Sequence, residues 1–94
     1  MSQQPPSIGR IVHYRLESGR NAGEYRPAII VRVWTDPDGK VNPRSLVQLQ
    51  VFTDGSNDDL PCPYWATSRQ QGDQNGQWKW PEYVAPTTPA LVTT

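Results

Sequence analysis

Four tryptophans stand among 94 residues, and two of them form the segment WKWP at Trp78 to Pro81. In an extended strand alternate side chains share a face, so Trp78 and Trp80 point one way and Lys79 the other. Paired indoles of that kind can stack a base, a proline or a sugar. They can also close one end of a small barrel short of other bulk, and we read them as core or barrel lid rather than as a ligand platform. Trp34, at the end of a strand, meets the same choice. Trp65 lies between Tyr64 and Ala66 on an edge segment, where exposure is expected.

Other reactive side chains lack partners in sequence. His13 falls on the wet face of a strand, and histidine titrates in the physiological range. Acid-base or nucleophilic catalysis needs a second group. Cys62 lies between two prolines with no glycine-rich elbow or helix start to activate it. Ser18, Ser45, Ser56 and Ser68 have no GxSxG context. We expect no enzyme and assign no catalytic residue. Asp54, Asp58 and Asp59, with Asn57 between, make an oxygen-rich turn that could hold a hard cation, but the spacing is not that of an EF-hand loop and no bidentate Glu follows. A solvated turn is the expected state. Arg26, Arg32 and Arg44 could meet an anionic ligand in an oligomer cleft; surface charges are the plainer reading. No metal and no cofactor is expected.

Composition narrows the partners. Nine Lys and Arg offset nine Asp and Glu, so no basic surplus drives binding to nucleic acid or to an anionic membrane. No apolar run approaches the ~20 residues of a membrane helix, and MSQQPPS lacks the charged and hydrophobic regions of a signal peptide. The chain reads as soluble and cytosolic. With one Cys and one His it has no intrachain disulfide and no zinc set.

Positioning falls to short strands, because seven Gly and ten Pro break the chain too often for a helical bundle. Ile8 to Leu16 alternates, with Val12, Tyr14 and Leu16 on one face and Ile11, His13 and Arg15 on the other. Ser18 to Glu24 reads as a mobile loop. Ala28 to Thr35 carries apolar residues on both faces at Ile29, Ile30, Val31 and Val33, which suggests a central strand that Pro27 starts. Asp36 to Lys40 is a turn with Pro37 and Gly39. Leu46 to Thr53 sets Val47, Leu49 and Val51 against Gln48, Gln50 and Phe52. Tyr64 to Ser68 follows two prolines as a short edge strand, and Trp78 to Pro81 closes the set. This pattern predicts an all-β fold, a small five-stranded antiparallel SH3-like barrel over residues 8–85. Residues 1–7 and 86–94 lack apolar periodicity and read as extended N- and C-terminal arms.

Val12-His13-Tyr14, the run from Arg26 through Val31 to Trp34, the run Val47 to Gly55 and the ending Gly76 to Glu82 together resemble a group of small β-barrel proteins encoded by tailed bacteriophages and prophages. The Trp78-Lys79-Trp80-Pro81-Glu82 ending is the most specific piece; related sequences often have His in place of Lys79. The match covers nearly all of the barrel and neither arm. The resemblance implies a phage origin and a compact β-fold, and it carries over no catalytic residue.

Neutral charge, the lack of catalytic chemistry and extended ends then suggest a virion structural protein. A capsid decoration or cement protein fits best, binding the major capsid protein or other virion subunits, with a homo-oligomer as a further option and no membrane or direct nucleic-acid partner. Its expected location is the virion, and the host cytoplasm during assembly. The expected contact residues are Pro5, Pro6, Ile8, Pro86, Pro89 and Leu91 in the arms, with Trp65 or Trp80 as anchor. The alternative is an oligomeric scavenger of host nucleotide immune signals, stacking and charge being supplied by Trp78, Trp80, Tyr83 and Arg26. An enzyme acting through His13 ranks last.

Overall fold

The computed structural model describes residues 4–82. They form five strands, β1 (Ile11–Arg15), β2 (Tyr25–Val33), β3 (Val47–Val51), β4 (Tyr64–Arg69) and β5 (Trp78–Lys79), with one 3-10 turn at Gly55–Asp58 and no α-helix among the described residues. The strands make one antiparallel sheet in the order β4-β3-β2-β1-β5. Its outer strands are drawn together where the Gly72 amide donates to the Trp78 carbonyl (2.8 Å) and Gln71 bridges Trp78. The sheet is thus a curled half-barrel, as expected of a small all-β chain.

Strict alternation builds the core. Val12, Tyr14 and Leu16 meet Ala28 and Ile30, Val47, Leu49 and Val51, Ala66 and Trp78, all fully buried. Each large member contributes roughly 1.5–3 kcal/mol by leaving water. Gln48, Gln50 and Phe52 face outward, as the pattern of β3 predicts.

Three expectations need correction. β1 starts at Ile11 rather than Ile8, because Gly9 turns the chain with φ +88° before its amide donates to the Ile30 carbonyl at 2.7 Å. β2 starts at Tyr25, and Pro27 lies inside it. The Pro27 carbonyl accepts the Phe52 amide at 2.8 Å where β3 has just ended, so its missing N–H falls at the margin of the ladder. β2 is central, but not because both its faces are buried. The register slips between Ile30 and Arg32, and this bulge turns Val31 outward to 38% exposure.

Part of the segment read as an N-terminal arm lies on the chain's own fold. Pro6 is buried, and the Trp80 indole N–H donates to the Gln4 carbonyl at 3.1 Å.

Candidate functional site

Two polar clusters hold the loops. Asp58, read in sequence as part of a solvated turn, is a buried carboxylate. It accepts Arg26 Nε at 2.8 Å and Nη2 at 2.7 Å, Asn21 Nδ2 at 2.9 Å and the Asp54 amide at 2.6 Å. The Arg26 hydrogen bonds hold its carboxyl far below the usual range, against the opposing effect of burial and with help from Asn21 and the Asp54 amide. Its oxygens are taken by donors, so the cation reading of this turn fails, and no metal-ligating group forms among the described residues. Arg26 is likewise spent inside the fold. Asp59 clasps Arg20 through its amide (2.8 Å) and guanidinium (3.1 Å). Ser18 to Glu24 is therefore a tethered loop, with the Cβ site of Gly19 only 2.3 Å from the Asp58 carbonyl oxygen.

Glu17, which sequence reasoning missed, joins β1 to β4. Tyr14 and Tyr64 donate their hydroxyls to it at 2.8 and 2.5 Å, and Arg69 Nη2 donates at 3.0 Å. Burial pushes the Glu17 carboxyl up, but the hydrogen bonds from Tyr64 and Tyr14 and the Arg69 charge leave it lowered overall. Burial, then Glu17, raises both tyrosines. Two protonated phenols on an ionised carboxylate form a static brace.

The outer face of the sheet carries exposed apolar side chains. Register places Ile11 beside Ile29, Ile29 beside Gln50 and Gln50 beside Trp65, one row across four strands. Ile11 is 58% exposed and Trp65 47%. A parallel row runs from Lys79 through His13 to Pro27, with Phe52 beyond at 44% exposure. Next to it Arg15 pairs Tyr25. Lys79 Nζ lies 4.5 Å and Arg15 Cζ 5.9 Å from the centre of the Tyr25 ring, and the His13 ring lies 6.4 Å away. All nine Asp and Glu fall outside the strands.

Of the residues expected to meet partners, Trp65, Ile8 and Pro5 are exposed and Pro6 is buried. Trp80 is half-buried, edge-on to Trp78 at 5.4 Å, with Arg10 Cζ 4.8 Å from its ring centre. Pro86, Pro89, Leu91 and Tyr83 lie outside the described residues. The structure does not gather the nucleotide set read from sequence: Trp78 is core and Arg26 is bound to Asp58. His13 packs near Tyr25, Cys62 is exposed before β4, and Trp34 is exposed with Arg32 Cζ 4.1 Å from its ring centre. Trp34, Asp36, Asn42, Arg44 and Leu46 help to line an open cavity of about 370 Å³. Asp36 and Asn42 close turns there: Asp36 accepts the Asp38 and Lys40 amides, and Asn42 accepts that of Arg44.

No family model, curated protein or solved structure matches the chain.

Proposed function

We propose that this chain is a non-enzymatic structural protein of a bacteriophage particle, a capsid decoration or cement protein that docks on capsid subunits through the outer face of its sheet. The phage setting rests on the resemblance carried by the Trp-x-Trp-Pro-Glu ending. The docking rests on one observation, the row Ile11, Ile29, Gln50 and Trp65, which leaves two large apolar side chains about half exposed. Exposed apolar side chains brought into one row of a sheet face, here interrupted by Gln50, are what a protein partner covers, and an exposed Trp is a frequent anchor. Each contact can be weak, because symmetric repetition over a shell multiplies modest affinities. Pro5 and Ile8 extend the candidate contacts, and the arm residues Pro86, Pro89 and Leu91 remain in the proposal.

Quantitative mass spectrometry of purified virions tests the reading. The protein is expected at a fixed ratio to the major capsid protein, and Trp65→Ser is expected to lower its occupancy about tenfold, an anchor's worth of affinity, with no change in melting midpoint. Complete absence from particles would end the proposal.

A further inference from the structure

We propose a second function for the β5-β1-β2 end of the outer face: it binds the phosphodiester backbone of single-stranded nucleic acid, with bases stacking on the neighbouring exposed ring. Two cations, Lys79 and Arg15, and the His13 imidazole gather around the one ring of Tyr25. Among the described residues the ion pairs belong to Arg20, Arg26 and Arg69, and neither Lys79 nor Arg15 has a carboxylate partner. Arg15 Nη1 donates instead to the Asp73 carbonyl, which holds the guanidinium in place without neutralising it.

The zero net charge of the chain therefore conceals a segregation. Acidic residues lie in loops, where Asp58, Asp59, Glu24 and Glu17 are paired, while the strands carry only basic charge. Like charges held side by side without a counter-charge raise the local potential, and an anion relieves it. Phosphate is such an anion.

Nucleic acid is favoured over a lone phosphate by what adjoins the cations. The row Lys79, His13, Pro27 ends at Phe52, an exposed ring three strand spacings away, or roughly 14 Å at the usual ~4.8 Å per strand. Sheet faces of this width stack about two or three bases on exposed aromatics while cations track the backbone. Stacking requires splayed bases, which selects a single strand. The site uses neither Ile11 nor Trp65, so it stands or falls apart from capsid docking.

The test is fluorescence anisotropy of a labelled oligothymidylate of about twelve nucleotides with the full chain, in a salt series starting near ~20 mM. Binding is expected to weaken with salt at a log–log slope of about −1.4, the value for roughly two phosphate contacts to a single strand. Lys79→Glu is expected to weaken binding about tenfold, and Phe52→Ala severalfold, with the melting midpoint unchanged. Lys79 lies opposite the core face of its strand, so its substitution leaves Trp78 packed. No anisotropy change at about 100 μM protein overturns the proposal, since that lies at the weak end even of non-specific binding. Binding indifferent to Lys79→Glu does so too. Equal competition by inorganic phosphate or a mononucleotide at matched phosphate concentration reduces the site to a small-anion site and also overturns it.

Discussion

Arg26 and Asp58 stand 32 positions apart and meet through two hydrogen bonds of 2.8 and 2.7 Å. Neither residue is remarkable in sequence, one sitting before a proline and the other in a run of turn formers. Together they tie β2 to the 3-10 turn, and Asn21 adds the loop after β1. Removing the carboxylate charge would leave the largely buried Arg26 guanidinium with only the exposed Glu24 as counter-charge, which costs more than losing an exposed pair. Asp58→Asn is thus expected to lower the urea midpoint clearly, while Asp59→Asn, whose partner Arg20 is exposed, changes it little. Equal effects from the two substitutions would contradict the assignment of Asp58 as the organising group.

Among the elements, β5 is the shortest, two residues long, yet it delivers the largest buried side chain. Trp78 plugs the sheet where its outer strands meet, and Trp80 packs edge-on behind it. Trp78→Ala is expected to cost about 3–5 kcal/mol. Trp65→Ala on the outer face of β4 is expected to stay within about 0.5 kcal/mol of the parent. Urea denaturation of the two variants checks both values. The alternation of β1 and β3 made their faces readable, whereas β2 misled. Its unbroken apolar run implied two buried faces, and a bulge at Val31 accounts for the pattern instead.

At the scale of the whole molecule, stability is tied to pH through these clusters. Asp58, Asp59 and Glu17 have lowered folded-state values, so below the ordinary carboxylate range the unfolded chain binds more protons than the folded one. Their contribution is complete above about pH 5 and is lost as pH falls through the range of unfolded carboxylates toward the lower folded values. Tyr14 and Tyr64 are raised, so their contribution is present below the unfolded value near ~10 and is lost as pH climbs past it. Urea midpoints are expected to form a plateau between about pH 5 and 9 and to fall on both sides, with Asp58→Asn flattening the acid limb. A midpoint unchanged down to about pH 3 would show that these carboxylates are not held as described.

Short strands, turn chemistry and period-two alternation are local properties, so the all-β class, the core faces of β1 and β3 and the edge position of β4 follow from residue order alone. Pairings between distant residues are not local. Glu17 gathers Tyr64 and Arg69 from 47 and 52 positions away, and Asp58 reaches back to Arg26, partnerships that no spacing rule anticipates. The same holds for the gathering of basic side chains on the outer face. Composition counts nine charges of each sign and stops at zero, while folding sends the acids to loops and leaves Lys79, Arg15 and His13 around one ring, because charge separation depends on where strands pair and not on how many charges there are.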